Sequence, residues 1–154
     1  MPDLQQYLTS EKLEEFKKEL DFLTTEKRKQ VAENLEYAKK LGDLSENAEY
    51  HEARQVQAEV EDRIMRLEHL VKTAMIVDNQ HGDVVSIGST VKVQKDGEKE
   101  TKEYKIVGSE ESDMASGKVS NLSPLGSALL GKKKGDTVSF STPKGKAVYT
   151  LISI

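Results

Sequence analysis

The chain has 154 residues, no cysteine and a formal net charge of −4, with 36% hydrophobic, 32% charged and only 5% aromatic residues. The missing cysteines exclude a disulfide framework and thiolate metal sites, and the charge content favours long solvated elements over one compact core. Residues 1–78 carry about six more acids than bases and residues 79–154 about two more bases than acids, which argues against duplex DNA as the main partner.

With no Trp and scattered Phe and Tyr, the chain also lacks an evident platform for stacking single-stranded bases. Its opening has no basic start followed by an apolar run, so no signal peptide is expected. No apolar stretch approaches the roughly 18 residues needed to span a bilayer, so a soluble protein is expected.

Taken along the chain, Thr9 is a good helix N-cap, and Glu11 suits the first-turn dipole. Leu13, Phe16, Leu20 and Leu23 then alternate in threes and fours, the seam of a coiled coil. Lys27 and Gln30 occupy the next seam positions, and Val31, Leu35 and Ala38 resume the stripe one step over. That slip reads as a stutter in a helix continuing to about Leu41. A bend follows at GDLSENAEY, residues 42–50, and a second stripe runs through Ala53, Val56, Val60, Ile64, Leu67, Val71 and Ala74. Two helices of about 30 residues, joined too closely for anything but an antiparallel hairpin, make a rod of roughly 45 Å.

After Met75 the texture turns to β-branched runs broken by Gly and Asn, which places a domain boundary near Asp78. The expected domains are a helical hairpin over 1–78 and an α+β domain over 79–154. Strands are predicted at Thr90–Gln94, Lys102–Gly108, Lys118–Asn121, Thr137–Ser141 and Ala147–Ile152. Between the third and fourth, Ser123 as N-cap, Pro124 at the first helical position and Gly131 beyond the end define one short helix.

Two motifs tempt and fail. Gly126 to Lys133 nearly matches a P-loop, but Lys133 stands where the magnesium-holding hydroxyl belongs, and Gly126 falls inside the predicted short helix. His51-Glu52 begins like a zinc-protease helix, yet Gln55 replaces the second histidine, and His69 and His81 are dispersed. The bend is different. Asp43 with Glu46 three residues on has the pattern of a capping box for the second helix, which would stabilise the hairpin by about 1 kcal/mol. The same two carboxylates at the end of a rod have a second possible use. Mg²⁺ often takes only one or two protein carboxylates and keeps its waters, so the tip suits half a metal site carried into another protein's active centre. Lys39, Lys40 and Arg54 lie a turn or two below, where they suit a phosphate backbone and serve no capping purpose.

GDLSENAEYHEAR at the bend resembles the hairpin-tip signature of the bacterial Gre transcript-cleavage factors, of the GreA type. YLTSEKLEEFKKELDFL, RIMRLEHLVKTAMIVD and VSNLSPLGSALLGKKKGD occur around it in the family's order, so the likeness spans nearly the whole chain. The resemblance implies a C-terminal domain of FKBP-like fold that docks at the rim of the secondary channel of RNA polymerase. It implies a coiled coil that threads the channel toward a backtracked nascent RNA 3′ end. There the factor would stimulate the polymerase's own Mg²⁺-dependent RNA cleavage, without being an enzyme itself.

Carried over by position, Asp43 and Glu46 would help hold the second Mg²⁺ and orient the attacking water, with Ser45 assisting by hydrogen bonding. Lys39 and Arg54 match the basic patch that contacts the extruded RNA, and Ser123 and Pro124 fall where the C-terminal domain meets the polymerase rim. The resemblance further implies a monomer in the bacterial cytoplasm, with no sequence-specific DNA binding and no stably bound metal of its own. The stretch 109–116 departs from the family by lacking an expected proline. Two other readings stay open beside this one. One is a channel-blocking module whose tip only caps a helix. The other is a prolyl isomerase, for which the second domain offers only Tyr104, Phe140 and Tyr149 as pocket aromatics.

Overall fold

The computed structural model describes residues 5–78 and 82–154, which leaves His81 outside the described residues. The chain forms an antiparallel helical hairpin and an α+β domain built on a five-stranded sheet, the α+β architecture expected from sequence. Its compact units are Leu13–Thr73 on one side and the described residues of Met1–Lys12 with Ala74–Ile154 on the other. This differs from a simple division at residues 78/79. Strand β1 (Tyr7–Leu8) pairs in parallel with β2 (Met75–Ile76), so the segments flanking the helices pack with the sheet.

In the hairpin, α1 (Ser10–Phe22) begins at Thr9, whose Oγ1 accepts the Lys12 N–H at 3.2 Å, the cap that the sequence called for. The helix then passes through a π-helical turn, Leu23–Lys27, before resuming as α2 (Arg28–Lys39). The expected stutter takes this form instead. Eight residues separate Leu23 from Val31 where a heptad has seven, and one π turn absorbs one extra residue. The hydroxyls of Thr24 and Thr25 donate to the carbonyls of Leu20 and Asp21 at 2.8 and 2.7 Å, binding the wider turn.

The return helix is α3 (Ala48–Thr73). Phe16, Leu23, Val31 and Ala38 on one arm and Val60, Ile64, Leu67 and Leu70 on the other are buried. The stripe expected to run on through Val71 to Ala74 turns onto Leu70 instead, with Val71 and Ala74 only half-buried. Register is pinned at two places by two-pronged ion pairs, Arg28 on Glu61 and Arg63 on Glu19, each with contacts of 2.8–2.9 Å. The partners run in opposite order along the chain, as antiparallel arms require.

The sheet runs in the order β5-β4-β3-β7-β6 and is antiparallel except between β4 and β5. Its strands are β3 (Thr90–Lys95), β4 (Thr101–Val107), β5 (Lys118–Ser120), β6 (Thr137–Thr142) and β7 (Gly145–Ser153). All five predicted strands are present, with ends moved by a residue or two. Val91, Val93, Ile106, Val119, Val138 and Leu151 from the strands and Leu129 from the short helix after β5 form the core, with one residue in two buried at Val91 and Val93 of β3. Tyr104, Phe140 and Tyr149 pack against it, the last two stacked at 5.7 Å. The aromatics of the isomerase reading are thus part of the packing.

The stretch without its proline folds into two 3₁₀ turns, Ser109–Glu111 and Met114–Ser116, and Asp113 accepts the Ala115 N–H at 3.1 Å and the Ser116 hydroxyl at 2.8 Å. Among the described residues, no helix is long and apolar enough to cross a membrane.

Candidate functional site

The chain leaves α2 at Lys39 and enters α3 at Ala48, and the turn between them is the tip. Gly42 allows the reversal: its φ of 146° is a conformation that side chains resist. Asp43, Leu44, Ser45 and Glu46 follow, all exposed.

The capping box expected from Asp43 and Glu46 does not form. Asp43 instead accepts the backbone N–H and the hydroxyl of Ser45, both at 3.0 Å on Oδ1, an Asx turn closed two residues on. Those two donors, the backbone first, hold the Asp43 carboxyl below its ordinary value of 3.8. Its Oδ2 and the Glu46 carboxylate have no protein partner among the described residues.

The N-cap is Asn47, which sequence reasoning passed over. Its Oδ1 accepts the Tyr50 N–H at 3.0 Å, and its Nδ2 donates to the Ala38 carbonyl at 2.6 Å. The signal was present, since Asn directly precedes the helical stripe. Asp43-x-x-Glu46 was the stronger decoy. His51 adds a weaker tie at 3.4 Å from its Nε2 to the Ser45 carbonyl.

The tip therefore brings Asp43, Ser45 and Glu46 together. Asp43, Glu46 and Glu49 share the lining of an open hollow of about 380 Å³. Among the described residues, no group of three or more His, Asp or Glu side chains is placed to hold a metal ion. Lys39, the last residue of α2, and Arg54, two turns into α3, are both exposed and have no ion-pair partner among the described residues.

Ser123 and Pro124 belong to the other unit, at the start of α4 (Pro124–Leu129). Ser123 acts as the N-cap expected: its Oγ accepts the Gly126 N–H at 3.1 Å and donates to the Ser120 carbonyl at 2.6 Å. Pro124 is exposed, and so is Leu122 beside it at 57%. Gly126 packs so closely on the Ser120 carbonyl that no side chain fits there, and it lies inside α4 and not in a loop before a helix, which removes the P-loop reading.

Family models match both halves. Residues 6–76 match "Transcription elongation factor, N-terminal", and residues 79–154 match "Transcription elongation factor, GreA/GreB, C-term". The chain belongs to the GreA/GreB family. A GreA transcription elongation factor of Thermoanaerobacter pseudethanolicus is 49% identical over 96% of this chain and 95% of its own. Another from Clostridium botulinum is 46% identical over 96% and 93%. Among solved structures, the GreA factor homologue 1 of Thermus thermophilus is 28% identical over 97% of each chain, with a TM-score of 0.44. Membership makes this chain a transcription elongation factor of the GreA/GreB type, with the exposed Asp43 and Glu46 carboxylates at the hairpin tip.

Proposed function

We propose that this GreA/GreB factor rescues backtracked, arrested bacterial RNA polymerase in the cytoplasm. It does so by stimulating the polymerase's intrinsic Mg²⁺-dependent cleavage of the nascent RNA 3′ end. The hairpin enters the secondary channel as a monomer's single probe, and the chain supplies groups in trans without being an enzyme itself. One observation carries the reading: Asp43 and Glu46 stand exposed at the tip, and helix capping, the duller explanation for them, falls to Asn47.

Two carboxylates are a fitting donor set for a polymerase Mg²⁺ that keeps most of its waters. Asp43 would present Oδ2 to it while Ser45 holds Oδ1, and Glu46 would provide the second ligand. Bound there, the ion supplies charge stabilisation to the entering and leaving oxygens of the phosphodiester. The low carboxyl pKa of Asp43 keeps it ionised and acceptor-only, as a ligand must be. Lys39 and Arg54, exposed near the ends of their helices, would contact the extruded RNA. Pro124, with Ser123 beneath it, would meet the channel rim.

The experiment is RNA cleavage in halted elongation complexes. Asp43→Asn and Glu46→Gln are each expected to lower the maximal cleavage rate about 10–100-fold, with the half-saturating concentration unchanged. Cleavage by the double variant at the wild-type rate would refute the reading and leave the channel-blocking alternative.

A further inference from the structure

We infer that Asn47 is a positioning residue for the tip chemistry, holding the loop that carries Asp43 and Glu46 in one geometry. The inference rests on the cleavage reading above and names a residue which that reading does not use. A single amide closes the loop from both ends. Nδ2 is bonded to the Ala38 carbonyl in the last turn of α2, and Oδ1 to the Tyr50 N–H in the first turn of α3. The Asn47 carbonyl takes the His51 N–H at 3.1 Å, so backbone and side chain of this residue are both committed. Ala38 is 2% exposed, which anchors one end of the staple in the hairpin core.

Capping alone does not explain the choice of residue. Asn, Asp and Ser are about equally good N-caps, but of the three only Asn has both an acceptor for Tyr50 and a donor for Ala38. Asp would set a carboxylate against the Ala38 carbonyl oxygen, and Ser is too short to span to it. What the second bond adds is a fixed span from residue 38 to residue 47. Within that span the Asx turn at Asp43 and the Glu46 N–H to Asp43 carbonyl contact of 3.4 Å set the two carboxylates relative to each other. Reacting groups misplaced by about 1 Å lose on the order of 10²-fold in rate, so loosening this span acts on the chemical step and not on binding.

The test uses the full chain with halted, backtracked elongation complexes. It compares wild type, Asn47→Ser, Asn47→Asp and a distant core variant, Val60→Ala. Maximal cleavage rate, half-saturating concentration, melting temperature and amide exchange in the free chain are read for each. Both Asn47 variants keep a cap and are expected to lose about tenfold or more in maximal rate. Their half-saturating concentration stays unchanged, and the Ser45 and Glu46 amides exchange faster. Val60→Ala melts lower yet keeps its maximal rate. Asn47→Ser cleaving like wild type overturns the assignment. So does a loss confined to the half-saturating concentration, or one that Val60→Ala shares. If the wild-type chain shortens no RNA, or Asp43→Asn cleaves as well as wild type, the cleavage reading falls first and takes this assignment with it.

Discussion

A Cβ on Gly126 would run into the Ser120 carbonyl and crowd the Ser123 hydroxyl at 3.1 Å. The contact is with backbone, so relief requires moving α4 away from β5, and with it the exposed Leu122–Pro124 segment. Gly126→Ala is expected to cost about 1–3 kcal/mol in urea unfolding and to weaken attachment to polymerase while sparing the tip. Asp78 has a different sensitivity. It accepts the Ser10 backbone N–H at 3.0 Å and its hydroxyl at 2.7 Å, which, with Lys105 nearby, depress its carboxyl below 3.8. A depressed folded-state value means that the bond's stabilisation is full above the unfolded value and is lost as pH falls through the folded one. The stability gap between wild type and Asp78→Asn, measured by urea midpoints from pH 6 to pH 2, is therefore expected to be open near neutrality. It should close below about pH 4. Neither role is legible in the sequence, where Gly126 suggested a phosphate loop and Asp78 a domain boundary, because each residue draws its importance from a neighbour that folding supplies.

At the scale of elements, the hairpin separates packing from ion pairing. Ile64 is 1% exposed, and Ile64→Ala is expected to cost about 2–5 kcal/mol. Arg28 and Glu61 remain 47% and 44% exposed, so Arg28→Ala should shift the urea midpoint far less than Ile64→Ala. Comparing the two by urea denaturation tests whether apolar burial or the register pins hold the arms. Arg63 should lie between them, since its guanidinium also sits 5.6 Å from the Phe16 ring centroid. Elements were also where the sequence was most legible. β-Branched runs broken by Gly, Asn and Pro turn signals located all five strands, and the Ser-Pro pair located α4. The tip was read correctly as acidic and exposed but wrongly as a capping box. Asp43 and Asn47 are both residues that close turns, and only the path of the chain after Gly42 decides which of them meets a helix N-terminus.

Across the whole molecule, the least legible feature is a bond over 102 positions. Glu111, with its side chain 2% exposed, accepts the Thr9 N–H at 3.1 Å and the Thr9 hydroxyl at 2.8 Å, and Lys118 reaches it at 3.5 Å. Glu111→Gln keeps the shape but replaces one acceptor oxygen by a donor, leaving a Thr9 donor without its partner. It is expected to cost about 1–3 kcal/mol and to raise amide exchange at Thr9, with the five-stranded sheet unaffected. No local pattern marks Glu111, because periodicity reports on neighbours one turn or one strand away. This is why the sequence division at residues 78/79 assigned residues 5–12 to the helices, while the fold keeps them with the sheet.

The π turn at Leu23–Lys27 has a consequence for engineering the arm. The first arm carries a spare residue at one known place, and removing Thr24 would leave Phe16, Leu23, Val31 and Ala38 at even seven-residue spacing. Shortening this arm by one residue outside the π turn would instead rotate everything beyond by about 100° and turn its apolar stripe out toward water. The same lost amino acid would be a trimmed slack inside that turn and a derailed screw thread outside it.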